Sequence, residues 1–237
     1  MQSDHPTIGL LFSGGVDSAV LLDWLLARGS RVVPFYVRTG CVWESCELDA
    51  ARRFLEAVAQ PRLLDLVLMD VPLEELYGEH WSMTGAEVPD ATSPDEAVYL
   101  LGRNPLLLIK PALWCLRHGV ENLALATLAG NPFPDATPEF FARFEEMFRA
   151  ATGERVHIAR PFDRLPKHRA MEMGRHLPLE LTFSCLAPVD GMHCGWCNKC
   201  AERRKAFRRL RSADSTPYAD ALSNRAANVL VANKTSA

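Results

Sequence analysis

Residues 13–18 read Ser-Gly-Gly-Val-Asp-Ser and follow directly on an apolar run at 8–12. A strand ending in a glycine turn that opens into a helix aims backbone N–H groups and the positive end of the helix at one spot. A phosphate chain can sit there. Gly14 and Gly15 lack a Cβ, so the backbone can approach phosphate oxygens closely, and Ser13 and Ser18 add hydroxyl donors. Asp17 is the odd member, because a carboxylate repels a polyphosphate unless a cation such as Mg²⁺ bridges the two. No Lys follows Gly15, so the G-x-x-x-x-G-K-[ST] loop is absent, and so is the dinucleotide pattern G-x-G-x-x-G. The plain alternative is a tight turn whose serine caps a helix.

A second cluster lies near the other end. Cys194, Cys197 and Cys200 form C-x2-C-x2-C, and Cys185 adds a fourth sulfur a short loop upstream. Four thiolates fill a tetrahedral Zn²⁺ with no open position, which predicts a structural site. An iron–sulfur cluster uses the same four ligands, and disulfides are disfavoured in a reducing compartment. Cys41, Cys46 and Cys115 read as ordinary cysteines, although 41 and 46 follow a strand end where a nucleophile is conceivable.

The elements that must position these groups follow from periodicity. Short apolar or β-branched runs at 8–12, 31–37, 63–71, 123–127 and 155–159 alternate with helical patterns at 16–27, 47–59, 105–119 and 138–151. That alternation predicts an α/β fold: a Rossmann-like parallel sheet with helices on both faces, its ligands bound beyond the carboxyl ends of the strands. The expected domain spans 1–181, followed by a zinc segment and basic helix over 182–211 and a loosely attached tail over 212–237. Residues 72–103 read as one long irregular loop, a lid or a plain connector.

With 237 residues, 48% of them hydrophobic, the chain can bury a core. Its net charge of −3 argues against binding nucleic acid through bulk charge. No apolar run approaches the roughly 20 residues that span a bilayer, and residues 1–6 carry no leader-like pattern, so a cytoplasmic protein is expected.

The string at 13–18 resembles the pyrophosphatase loop of the ATP pyrophosphatase superfamily. The resemblance implies attack of a substrate oxygen on the α-phosphate of ATP, loss of pyrophosphate, and an ATP site over Leu11, Phe12, Ser13, Gly14, Gly15, Val16, Asp17 and Ser18. Leu-Thr-Phe-Ser-Cys at 181–185, the cysteine motif at 194–200 and the basic helix at 203–211 together resemble the end of the 7-cyano-7-deazaguanine synthase family. So do Gly102-Arg103-Asn104, the stretch 161–171 and the loop 131–140, and the likeness runs from about 7 to about 210. It implies conversion of 7-carboxy-7-deazaguanine and ammonia to the nitrile by an ATP-dependent ligase, with Zn²⁺ as a structural ion and Mg²⁺ accompanying ATP. Asp17, Ser18 and Lys167 would then serve catalysis, Asp17 holding the metal and Lys167 meeting phosphate. Arg103, Asn104 and Asp135 would bind the substrate, Asp135 facing a guanine-like amidine edge.

Plainer roles exist: a solvated Lys167, an exposed turn at 103–104, a helix-capping Asp135, and a solvent-facing basic stripe through Arg203, Arg204, Lys205, Arg208, Arg209 and Arg211. The loops 37–44 and 128–137 depart from the family's usual residues. A different carboxylate therefore stays open, as do a tRNA-modifying thiolase of the same superfamily, a non-catalytic zinc module, and a homodimer.

Overall fold

Five parallel strands make one sheet in the order β3-β2-β1-β4-β5 in the computed structural model, which describes residues 5–219. They are β1 (Thr7–Leu11), β2 (Arg31–Arg38), β3 (Val67–Asp70), β4 (Asn122–Ala124) and β5 (His157–Ala159). Between and after them lie α1 (Val16–Ala27), α2 (Glu44–Ala57), the single turns α3 (Glu74–Tyr77) and α4 (Trp81–Thr84), α5 (Arg103–Arg117), α6 (Pro138–Thr152), α7 (Lys167–Met173) and α8 (Asn198–Leu210). The chain winds outward from β1 in one direction, then returns and winds outward the other way. The crevice beyond the carboxyl ends of β1 and β4 is the switch point of the topology, where such folds bind ligands.

Alternation along the strands sets the two cores. Leu10, Phe12, Val32, Tyr36 and Ala124 face a layer that holds residues of α1, α2, α7 and α8. Val33, Phe35, Leu123, Leu125 and Ile158 face the layer of α5 and α6, where Leu108, Ala112, Cys115, Phe141, Phe144 and Phe148 are buried. Gly9 lets β1 lie against that second layer: a Cβ there would stand 2.7 Å from the Phe35 ring and 2.8 Å from Cys115 Sγ.

The expected elements are present with shifted ends. α1 spans its expected residues, while α2 begins at Glu44, before its apolar periodicity does. The Glu44 carboxylate reaches back to accept the N–H groups of Thr39 and Gly40, which starts the helix early. β3 is shorter than the apolar stretch 63–71, because Leu63 makes only an isolated bridge to Val32.

Residues 72–103 are not a structureless loop. They contain α3, α4 and a 3-10 turn at Asp95–Val98. They are also tied to the cysteine segment: Ala91 N–H donates to Trp196 O at 3.0 Å, and Asn198 N–H to Pro89 O at 2.9 Å.

Two C-terminal expectations change. Arg203 is not on a solvated stripe; it is 2% exposed and donates to Leu179 O, Thr182 Oγ1 and Thr216 Oγ1 at 2.7–2.9 Å. Lys205, Arg208, Arg209 and Arg211 are exposed as expected. The segment read as a loose tail is held through 219 by Thr216 on Arg203 and by Ala219 N–H on His193 O at 2.7 Å. The remainder of that tail, and residues 1–4, lie outside the described residues. α8 returns Ala206, Phe207 and Leu210 to the main core, so the cysteine segment adjoins the sheet rather than hanging from it.

Because Gly9 is hemmed in by a buried ring and a buried sulfur, Gly9→Ala is expected to lower stability by about 1–3 kcal/mol through overpacking. An unchanged midpoint in urea unfolding would contradict this packing.

Candidate active site

The turn after β1 is built around two glycines with different tasks. Gly14 sits at φ +74°, and a Cβ on it would meet Ala51 Cβ at 2.9 Å and the Ala51 backbone at 3.0 Å. Gly15 is the N-cap of α1 and brings no side chain to cap it, which leaves first-turn N–H donors for a ligand. The Ser18 hydroxyl donates to Gly15 O at 3.0 Å and lies 3.3 Å from Ser13 Oγ, so both hydroxyls stand at the mouth of the turn. Phe183 N–H donates to Gly14 O at 2.9 Å and fixes the turn from the far side.

Above the turn runs a row of alternating charges. Lys167 Nζ contacts Asp17 Oδ2 at 2.6 Å and Glu202 Oε1 at 3.5 Å, and Lys199 Nζ contacts Glu202 Oε2 at 2.8 Å. Burial alone would lower the Lys167 pKa, but Asp17 and Glu202 outweigh it and the net shift is upward, so the ammonium stays charged. Burial would likewise raise Glu202, yet Lys167 and Lys199 hold its carboxyl down at about 2. Asp17 Oδ1 is buried and has no hydrogen-bond partner, and the same is true of Ser184 Oγ. These residues, with Ser13, Gly15, Trp43, Glu47 and Arg103, line a cleft of about 300 Å³.

A second cleft, about 280 Å³, opens from the same wall toward β4. It brings together the three expected substrate residues, Arg103, Asn104 and Asp135, with Thr127, Tyr99 and Phe133. Arg103 and Asn104 are not an exposed turn; they begin α5, after Gly102 at φ +71°. Asp135 is 7% exposed and accepts the Asn104 N–H at 3.1 Å, while Asn104 Nδ2 donates to Asp135 O at 2.8 Å. Asp135 therefore caps α5, and α6, the helix after it, is capped by Thr137, whose Oγ1 accepts from Phe140 N–H at 3.1 Å. Burial raises the Asp135 carboxyl, with the Asn104 N–H opposing. Arg103 Nε and Thr127 Oγ1 are buried without partners, so each of the two clefts is lined by polar atoms that a ligand would satisfy.

Beside the first cleft, the four cysteine sulfurs lie within 4.8 Å of one another, placed to bind a metal. Backbone N–H groups of Ala187 and Cys194 point at Cys185 Sγ, that of Cys197 at Cys194 Sγ, and that of Leu186 at Cys197 Sγ, all within 3.5 Å. Donors aimed at sulfur favour thiolates over thiols. Gly195, at φ +83°, makes the knuckle turn. His193 is buried, its pKa pushed down to about 3 by burial, and its Nε2 accepts the Ser184 N–H at 3.2 Å. Cys41 and Cys115 are buried, and burial pushes both thiols up, Cys115 to about 12.

Sequence reading missed Glu47, Thr127, Ser184, Lys199 and Glu202. The last two carried a weak signal, as an i, i+3 charge pair that starts within the cysteine motif and ends just beyond it. Ser184 lies in the 181–185 string; Glu47 and Thr127 lie on no motif, and only the fold brings them to the clefts.

Comparison with known proteins fits this geometry. The family model for queuosine biosynthesis protein QueC matches residues 8–211. A 7-cyano-7-deazaguanine synthase of Solidesulfovibrio magneticus is 32% identical over 248 residues, covering 94% of this chain and 100% of that protein. The 7-cyano-7-deazaguanine synthase 1 of Desulfitobacterium hafniense is 30% identical over 203 residues, covering 84% and 90%. Among solved structures, the U34-tRNA thiolase NcsA of Methanococcus maripaludis, determined with its [4Fe-4S] cluster, aligns at 16% identity over 90% of this chain and 75% of that one, with a TM-score of 0.43. With a glycine turn, a lysine–carboxylate row and a four-thiolate knuckle joined in one sheet fold, and a family model matching 8–211, the chain belongs to the queuosine biosynthesis protein QueC family.

Proposed function

We propose that this chain is a cytoplasmic 7-cyano-7-deazaguanine synthase, which uses ATP and ammonia to turn the carboxylate of 7-carboxy-7-deazaguanine into a nitrile. The observation that carries this reading is the shared wall of the two clefts. Ser13, Asp17, Ser18 and Arg103 line both, so a nucleotide held in one presents its phosphates to an acid held in the other.

The glycine turn supplies backbone N–H groups and two hydroxyls to the phosphate chain. Lys167, on the other side of Asp17, supplies a permanent positive charge where negative charge builds as pyrophosphate departs. Asp17 fits a Mg²⁺ ion, since its Oδ1 is buried and unsatisfied. When bound, that ion neutralises phosphate charge. Arg103, with Nε free, faces the carboxylate of the acid, and Asp135 and Asn104 hold the entrance of α5 against its ring. Tyr99 and Phe133, tilted 30° to one another with ring centroids 5.2 Å apart, add aromatic surface suited to a planar heterocycle. Once the carboxylate oxygen has taken the adenylyl group, ammonia displaces it to give the amide, and a second activation of the amide oxygen leads to the nitrile.

For the cysteine centre the reading is a structural zinc. Sulfurs bound tetrahedrally at about 2.3 Å stand about 3.8 Å apart. The pairs Cys185–Cys197 and Cys194–Cys200 both stand at 3.9 Å. A [4Fe–4S] cluster places each thiolate on a separate iron and spreads them further.

Incubation with ATP, ammonium and 7-carboxy-7-deazaguanine is expected to yield a 7-cyano product with AMP and pyrophosphate, read by mass spectrometry. AMP release with some other acid only would replace the substrate, and no AMP with any acid would overturn the function. Metal analysis is expected to give one zinc per chain without acid-labile sulfide, and Cys197→Ser to lower the melting temperature by about 5 °C or more. Sulfide in amounts comparable to metal would contradict the zinc centre.

A further inference from the structure

Three carboxylates line the nucleotide cleft: Asp17, Glu202 and Glu47. Asp17 and Glu202 are engaged by lysines at 2.6–2.8 Å. Glu47 is the exception. It stands in the first turn of α2, where its Oε2 accepts the Tyr36 hydroxyl at 2.9 Å. It also lines a smaller pocket with Leu11, Phe12, Ser13 and Arg103, at the carboxyl ends of β1 and β2. It thus lies in the nucleotide cleft beside the phosphate turn, in company with Ser13 and Arg103, which also line the acid cleft.

We propose that Glu47 is the proton acceptor of the amide-forming and nitrile-forming steps, an assignment that rests on the synthase reading above. Activating the acid moves no proton: a carboxylate oxygen bonds to the α-phosphorus and pyrophosphate leaves with its electron pair. The later steps do release protons. When ammonia forms its C–N bond to the adenylated carboxyl carbon, the nitrogen must lose a proton before the C–O bond to AMP breaks. When the activated amide becomes the nitrile, two N–H bonds break: loss of the first proton leaves a neutral imidate, and the electron pair of the second N–H bond becomes the new C–N π bond. The C–O bond breaks with AMP as the leaving group. In each case the proton passes to the Glu47 carboxylate and from there to water.

The surroundings tune Glu47 for this task. Burial raises its carboxyl to about 7, opposed by Arg103 on α5 and by the Tyr36 hydrogen bond from β2, and reinforced by Glu44 on its own helix. Cys41 is a further titratable neighbour, and its thiol is raised by burial first and by Glu47 among its lesser causes. A base of this strength is about half ionised at neutral pH, where proton transfer in both directions is efficient. Glu202 is already engaged by Lys167 and Lys199.

The test separates the proton-free step from the proton-releasing one. Acid-dependent exchange of labelled pyrophosphate into ATP reports the first; conversion of the primary amide plus ATP to the nitrile reports the second. Glu47→Gln is expected to slow nitrile formation by about 100-fold or more beyond any change in the exchange rate. The wild-type rate of nitrile formation should fall as pH drops through about 7, as Glu47 takes up its proton, and the variant should lack that limb. Tyr36→Phe keeps the carboxylate but removes a hydrogen bond that lowers its pKa, so the limb should move to higher pH. Exchange and nitrile formation falling together in Glu47→Gln, or a limb unmoved in Tyr36→Phe, would overturn the assignment. A wild-type protein with neither exchange nor nitrile formation would instead overturn the synthase reading, and Glu47's role with it.

Discussion

Lys167 and Asp17 lie 150 positions apart in sequence and meet at 2.6 Å. This contact joins the two parts of the molecule that matter for chemistry, the glycine turn opening α1 and the first residue of α7. Each side chain is about a quarter exposed, so the pair adds little to stability after desolvation and screening. Its importance lies in position. Where a triphosphate would place its charge, the site keeps an ammonium and a carboxylate in mutual balance, and a carboxylate oxygen beside them is left unsatisfied. Glu202 and Lys199 extend that balance to α8, which carries one of the four sulfurs, Cys200. The glycine turn and the cysteine knuckle are therefore neighbours through a single row of charges.

The knuckle constrains the site in two further directions. Phe183, two residues before Cys185, holds Gly14 from behind, so the glycine turn is bonded to the chain leading into the cysteine cluster. On the opposite side, Pro89 and Ala91 are bonded to Asn198 and Trp196, which fixes one end of the segment leading to Tyr99 and Arg103. A metal held by the four cysteines would thus tie together both walls of the paired clefts from outside them.

Local features were legible in the sequence. The Ser-Gly-Gly-Val-Asp-Ser turn, the span of α1 and the four cysteines each follow from residues adjacent in the chain, and the structure places them as read. Features settled by distant partners were not. Arg203 has the composition of a solvated stripe, but its guanidinium is drawn inside by three acceptors, two of them at Leu179 and Thr182 and one at Thr216. The start of α2 depends on a carboxylate turning back on Thr39 and Gly40, which periodicity does not register. Asp135 has the setting of a cap for the helix that follows, yet it caps α5, because the fold brings 133–136 over that helix. Glu47 reads as an ordinary surface position on an amphipathic helix until β2 and α5 close around it.

The central claim is that the lysine now resting on Asp17 is the phosphate's counter-ion, exchanged when the nucleotide arrives. Calorimetric titration of Mg·ATP into the wild-type protein and into Lys167→Ala tests it most directly. Loss of a charged hydrogen-bond donor predicts binding weaker by about 10-fold to 100-fold in the variant. Equal affinity in the two proteins would contradict it.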